Sequence, residues 1–105
     1  MKTPPDKTIA FTIVSQRAEK AELRWMAHMT FPPGSDGETM LPIEVLGGND
    51  KPVEEGTLEF AGQRLKVKNG AASMRYADFV AGVHSIPIWL HRSGMPPVPG
   101  GLTFL

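Results

Sequence analysis

The sequence predicts an all-β protein, a single antiparallel sandwich of seven or eight strands. Three observations predict it. Short runs of alternating apolar and polar residues recur along the chain, and turn residues interrupt them every 8–14 residues or so, roughly the rhythm of many short strands. Eleven glycines and ten prolines among 105 residues supply those turns. Two independent turn signals within residues 50–76 then place the same side chains on one face.

The length of 105 residues predicts one domain over residues 1–105, with a loose N-terminal segment at 1–7. A chain of this size buries roughly two-thirds of its unfolded surface and needs no covalent staple. The absence of cysteine excludes a disulfide framework and a thiolate metal site. Eleven basic and eleven acidic side chains cancel, so the net charge does not draw the protein to nucleic acid or to an anionic membrane.

The N-terminal stretch MKTPPDKTIAFTIVSQ lacks the features of an export signal, because its apolar run is short and no small-residue cleavage site follows it. No segment approaches the ~20 consecutive apolar residues of a membrane-spanning helix. We therefore expect a cytoplasmic or virion-associated protein, or an exported domain trimmed of its signal.

The first strand is predicted in TIAFTIV, where Ile9, Phe11 and Ile13 alternate with the residues between them. The next stretch, SQRAEKAELRWMAHMTF, is compatible with two structures. Ser15 could cap a short helix within residues 16–28, since Ala, Glu, Lys and Arg favour helix. The alternation of apolar side chains favours instead a hairpin that turns at QRAEK, and this is the structure we expect; the alternating residues are Leu23, Trp25, Ala27, Met29 and Phe31.

The middle of the chain continues the pattern. PPGSDGET, residues 32–39, is predicted to be an exposed loop because it consists of turn residues. LPIEVL places Leu41, Ile43 and Val45 on one face, and Pro42 indicates an edge strand or the start of a strand. GGNDKP then forms another turn.

Residues 50–76, DKPVEEGTLEFAGQRLKVKNGAASMRY, predict a three-stranded antiparallel meander. A four-residue loop at 61–64 sets Phe60 opposite Leu65 and Leu58 opposite Val67. A slip of two residues sets Phe60 opposite Gln63 instead, which is a worse match for a buried face. We therefore expect the four-residue loop.

Asn69-Gly70 is the strongest hairpin signal in the chain, since both residues of a type I′ loop need positive φ. It sets Val67 opposite Ala72 and Leu65 opposite Met74. The two turns thus agree on one inward face, which comprises Leu58, Phe60, Leu65, Val67 and Met74.

The last part of the chain predicts a strand near residues 83–91, with Ile88 and Leu90 on one face and Trp89 on the other. The same alternation places His84 and Ile86 with Ile88, and Pro87 and His91 with Trp89. SGMPPVPGG predicts a rigid connector, and GLTFL a short final strand. Antiparallel strands with one apolar face need a second apolar layer, which means a sandwich or a small barrel.

Three stretches together have a familiar pattern: DKPVEEGTLEF at 50–60, NGAA at 69–72 and FVAGVHSIPI at 79–88. The pattern resembles bacterial immunoglobulin-like and transthyretin-like (carboxypeptidase-regulatory-like) modules, in which a G-x-P-V-x-x-G turn precedes a strand. His84 stands where those modules usually have a late aromatic residue. The resemblance implies an immunoglobulin-like sandwich that acts as a spacer, adhesive or assembly module, and it carries over no active-site residue.

The sequence does not predict catalysis, a metal site or a cofactor. Zinc would need three or four converging ligands, but the three histidines, at positions 28, 84 and 91, have no ligand-type spacing, and His84 and His91 differ in strand parity. None of the serines lies in a G-x-S-x-G elbow, and the chain has no phosphate loop or dinucleotide fingerprint. We expect a protein that is not an enzyme.

Two surfaces are candidate binding sites. The first combines an aromatic side chain with prolines and is predicted to contact a protein partner; it comprises Pro87, Trp89, His91, Met95, Pro96 and Pro97. Here the sequence leaves open whether Trp89 is exposed or part of the core. The second is a basic face formed by Arg64, Lys66, Lys68 and Arg75, which is either a phosphate-binding stripe or a solvated face that resists aggregation.

The function that these features predict is a non-catalytic structural or protein-interaction module, through self-association or docking on a larger assembly. Examples are a phage virion or decoration domain, a secretion-apparatus accessory domain and a cell-surface spacer. One alternative is a small-ligand or carbohydrate-binding module that uses Trp89, His91 and the 32–39 loop. The other is nucleic-acid binding through the face formed by Arg64, Lys66 and Lys68.

Overall fold

The computed structural model describes residues 9–16, 19–32, 34, 36–82 and 88–104. The predicted loose segment at 1–7 lies outside these residues. Within them the chain forms eight strands and one α-helix: β1 (Ile9–Ser15), β2 (Trp25–Phe31), β3 (Met40–Gly47), β4 (Glu55–Phe60), β5 (Gln63–Lys68), β6 (Ala71–Arg75), α1 (Tyr76–Gly82), β7 (Ile88–His91) and β8 (Val98–Phe104). A short 3-10 turn at Ala21–Leu23 precedes β2.

The eight strands form one antiparallel sheet that closes into a barrel, in the order β1-β2-β3-β6-β5-β4-β7-β8. Closure comes from β1, which pairs with β2 on one side and with β8 on the other. The all-β class, the antiparallel arrangement and the strand number are therefore confirmed. The immunoglobulin-like sandwich is not confirmed, because two packed sheets would leave edge strands, whereas here every strand has two neighbours.

The first two strands form the predicted hairpin, in which Ile13 pairs with Ala27. Of the alternative short helix within 16–28, the described residues keep a 3-10 helix at Ala21–Leu23, because β2 occupies residues 25–31. Extended backbone is favoured here because it turns Trp25, Ala27 and Met29 inward together, at 2%, 0% and 1% exposure.

Alternation along the strands fills the barrel with side chains. The predicted face of β3 is confirmed, since Leu41, Ile43 and Val45 are all buried. Across the interior, the indole N–H of Trp25 donates to the Val98 carbonyl at 3.1 Å. The other buried hydrophobic residues are Ile13, Ala27, Met29, Val53, Leu58, Phe60, Ala61, Val67, Met74, Phe79, Ile88 and Leu90.

The turn between β4 and β5 differs from the prediction. The loop has two residues, Ala61 and Gly62, and Phe60 pairs with Gln63 rather than with Leu65. Both loop residues have positive φ, 53° and 75°, as a type I′ turn requires. The shift of two residues leaves the inward face unchanged, and Phe60 packs instead on Phe79 of α1, with ring centroids 5.8 Å apart.

The second predicted turn is confirmed, since Asn69 and Gly70 have φ of 52° and 77° and are flanked by the pair Lys68↔Ala71. The sequence did not predict α1, which crosses one end of the barrel and inserts Phe79 against Phe31, with ring centroids 5.0 Å apart. We call this end the helix end. At the opposite end, the loop end, lie residues 19–24 and the connections 48–54, 69–70 and 92–97.

The last two strands differ in extent from the prediction. β7 covers residues 88–91, while the predicted strand residues 83–87, including His84, lie outside the described residues. β8 begins at Val98 within the predicted connector, because Val98 and Gly100 pair with Leu90 and Ile88.

Candidate functional site

The outer surface of β7 carries the predicted aromatic residue. Ile88 and Leu90 point into the core, at 7% and 0% exposure, so the alternation of the strand turns Trp89 and His91 outward. Both are partly buried on the outer surface. Trp89 is therefore not the core tryptophan; that residue is Trp25.

Neighbouring strands complete a contiguous surface around Trp89. In the sheet register Trp89 lies between Glu59 of β4 and Pro99 of β8. The Glu59 carboxylate lies 2.6 Å from Nε2 of His91, and both side chains are about one-third exposed. Pro97, two residues before Pro99, is exposed in the loop that leads into β8. We call Glu59, Trp89, His91, Pro97 and Pro99 the Trp89 patch.

Of the remaining residues of the predicted partner site, Met95 and Pro96 line a pocket at the loop end together with Glu22. Met95, Pro96 and Pro97 are exposed in the loop between β7 and β8. Pro87 lies outside the described residues. The sequence did not predict that Glu59 and Pro99 lie beside Trp89. Pro99 was assigned to a connector, although the alternation of Val98 with Pro99 could have indicated a strand there.

The predicted basic face separates into two parts. Arg64, Lys66 and Lys68 alternate along β5 with their side chains exposed. Arg75 of β6 is engaged elsewhere, because its guanidinium contacts Asp78 at 3.3 Å and Glu38 at 3.8 Å. The hydrogen bond to Asp78, and the negative charges of Asp78 and then Glu38, raise the pKa of Arg75 above its ordinary value.

The described histidines serve separate local contacts. His28 on β2 has its Nδ1 3.2 Å from Oγ1 of Thr12, which is 8% exposed. His91 on β7 bonds to Glu59 instead. Within the part of the chain that the structure describes, no three His, Cys, Asp or Glu side chains come close enough together to hold a metal ion.

An open cleft of about 1220 Å³ lies at the loop end, and Arg92, Lys51 and Glu54 are among the residues that line it. Arg92 is positioned by a bond from Nη2 to the Leu23 carbonyl, at 2.7 Å. Burial lowers its pKa, and its Nε is buried without a partner among the described residues. Charges of both signs line this cleft.

The residues of the predicted carbohydrate site are brought together only in part, since Trp89 and His91 share the Trp89 patch but the described part of the 32–39 loop lies elsewhere. The 36–39 part of the loop packs on α1, where Tyr76 and Ala77 donate backbone hydrogen bonds to Thr39 and Gly37. That contact places the loop at the helix end, whereas His91 is at the opposite end of β7.

Comparison with known proteins adds no relative. No family model, curated protein or solved structure matches the chain. The resemblance to immunoglobulin-like and transthyretin-like modules therefore stays a prediction. Among the described residues, no helix has the length and apolar character needed to cross a membrane.

Proposed function

We propose that the protein is a non-catalytic protein-interaction module that docks through the Trp89 patch. The observation that carries the proposal is the outward position of Trp89 on a barrel whose interior is already filled by other side chains. The core does not need this indole, and the part of its apolar area that remains exposed is available to a second surface. Tryptophan is enriched among the residues that contribute most to binding energy at protein interfaces.

The surroundings of Trp89 support a protein partner. Pro99 beside it and the exposed loop at 95–97 offer further apolar area without flexible side-chain charge. The Glu59–His91 pair provides a polar border, which matches the arrangement of an apolar centre and a polar rim at interfaces. A stable interface buries about 1200–2000 Å² in total, so the partner must also contact strands next to the patch.

The experiment compares two substitutions on opposite sides of the barrel. Trp89→Ala removes the proposed anchor, and Met40→Ala removes another exposed apolar side chain, on β3, four strands away from β7 in either direction. Sedimentation velocity over a range of concentrations tests self-association, and a photo-crosslinking residue at position 89 or 40 tests docking on another protein. We expect association or cross-linking that depends on position 89 and not on position 40.

Two results would contradict the proposal. One is a wild-type protein that stays monomeric and forms no cross-linked product from position 89. The other is a thermal shift of several degrees with one class of sugar that Trp89→Ala abolishes, which would assign the patch to carbohydrate instead.

A further inference from the structure

The barrel is least completely closed between β5 and β6, and we call this boundary the β5–β6 seam. Both strands lie wholly within the described residues, and their pairing is limited to Lys68↔Ala71 beside the tight turn. Leu65 and Ala72, which face the interior from the two sides of the seam, are only partly buried. The inward residues of β3, by comparison, are buried. The two strands thus diverge after their first pair.

The free backbone groups of β5 belong to alternate residues. In the two-residue turn after Phe60, Gln63 exchanges backbone hydrogen bonds with Phe60. Because the direction of the backbone groups alternates along a strand, every second residue of β5 from Gln63 onward bonds to β4. Arg64 and Lys66 direct their N–H and C=O groups the other way, toward β6. Since the pairing with β6 stops at Lys68, these groups form an open strand edge.

Like charges would face each other if the seam closed. Continuing the register from Lys68↔Ala71 would set Arg64 directly opposite Arg75, and like charges in such positions destabilise a sheet. Arg75 turns instead to Asp78 on α1 and to Glu38. No described residue forms an ion pair with Arg64, Lys66 or Lys68.

We infer that the open edge of β5 accepts an extended acidic segment of a partner protein as an additional strand. The backbone groups of Arg64 and Lys66 form the ladder hydrogen bonds, as in other cases of strand addition. An apolar side chain of the segment covers Leu65, and alternate Asp or Glu side chains meet Arg64 and Lys66, since Lys68 is already paired with Ala71. The partner is therefore a strand with alternating acidic and apolar residues.

The same features disfavour other occupants. A second copy that paired β5 with β5 would set cations against cations. A nucleic acid makes no ladder with backbone groups, and β5, QRLKVK, has no aromatic side chain on which bases could stack. The inference goes beyond the proposed function, because β5 lies two strands from β7 in the sheet.

The first measurement is amide hydrogen exchange by NMR on the free protein. The amides of Leu65 and Val67, which bond to β4, are expected to exchange at least about tenfold more slowly than those of Arg64 and Lys66, after correction for intrinsic rates. Equal protection of all four amides would show that β5 and β6 are fully paired, and would overturn the inference.

The second measurement uses the acetylated peptide Thr-Glu-Val-Glu-Val-Glu-Thr and its counterpart with Lys in place of Glu. The acidic peptide is expected to bind and to slow exchange of the Arg64 and Lys66 amides by about tenfold or more, with little change at Leu65 and Val67. Binding of the Lys peptide as tightly as the acidic one, or binding without added protection at those two amides, would overturn the inference.

Two charge reversals and two controls complete the test. Lys66→Glu is expected to weaken the acidic peptide about tenfold or more, while Lys51→Glu, in an exposed loop, changes it less than about twofold. Tighter binding of oligothymidylate than of the acidic peptide, with the same loss in Lys66→Glu, would assign the edge to nucleic acid and contradict the inference. Trp89→Ala leaves peptide binding unchanged, so this inference and the proposed function fail separately.

Discussion

Adding one methyl group at Gly100 tests the packing inside the barrel. A Cβ at this position would lie 2.7 Å from Cζ2 of Trp25 and 3.0 Å from Cγ2 of Ile13, both of which are buried. Distances this short force the indole to move. Gly101, the next residue, points outward, and there the added Cβ meets the end of the flexible Gln16 side chain.

The expected loss in Gly100→Ala has two parts. Overpacking of a filled core costs about 1–3 kcal/mol. If the indole shifts, its 3.1 Å hydrogen bond to the Val98 carbonyl is also lost, which adds ~1 kcal/mol. The free energy of unfolding should therefore fall by roughly 2–4 kcal/mol, and the melting temperature by roughly 10–25 °C for a domain of this size.

Urea unfolding, monitored by circular dichroism and by tryptophan fluorescence, measures this loss. Gly101→Ala is the matched control and should change the free energy of unfolding by less than about 1 kcal/mol, because Gln16 can move away. If the two substitutions cost the same, Gly100 does not face Trp25 and the assignment of inward and outward residues on β8 is wrong.

Two further substitutions test the ends of the barrel by urea unfolding. Phe79→Ala at the helix end should lower the free energy of unfolding by about 3–5 kcal/mol. Val80→Ala, at a residue 51% exposed, should change it by less than ~0.5 kcal/mol. Equal effects would contradict the packing of α1 across this end of the barrel. Gly70→Ala at the loop end should lower the free energy of unfolding by about 2–4 kcal/mol. Its φ is +77°, and the new Cβ would lie 2.6 Å from Cβ of Pro52. An unchanged stability would contradict the type I′ turn.

Local signals made several elements predictable from the sequence. Alternation identified the buried face of β3, because the period of a strand is a property of neighbouring residues. Asn69-Gly70 identified its turn because few residue pairs accept two positive φ values. The hairpin of β1 and β2 followed from the apolar alternation around Trp25, which outweighed helix propensity.

Other features depend on contacts that are remote in the sequence. Barrel closure rests on β1 pairing with β8, at the two ends of the chain. The Ala61-Gly62 turn was missed because alanine rarely adopts positive φ; here its side chain is buried, at 3% exposure, and its carbonyl lies against Gly82. The helix α1 has seven residues, too few to show a helical period.

The candidate site was predictable in part. The sequence placed Trp89 and His91 on one face of the strand but left open whether that face points inward or outward. The apolar residues on either side of Trp89 could fill the core as well as Trp89 could. The structure decides the direction by burying Ile88 and Leu90. The opening of the β5–β6 seam was not predicted, although the opposition of Arg64 and Arg75 in the register was its signal.

The central claim is that the barrel encloses Trp25 and turns Trp89 outward. The two single-tryptophan proteins, Trp25→Phe and Trp89→Phe, test it most directly through acrylamide quenching of fluorescence. The protein that retains the partly buried Trp89 should be quenched more strongly than the protein that retains Trp25, since Trp25 is 2% exposed. Protection of Trp89 equal to that of Trp25 in a folded monomer would place it in the core and contradict both the fold described and the binding surface proposed.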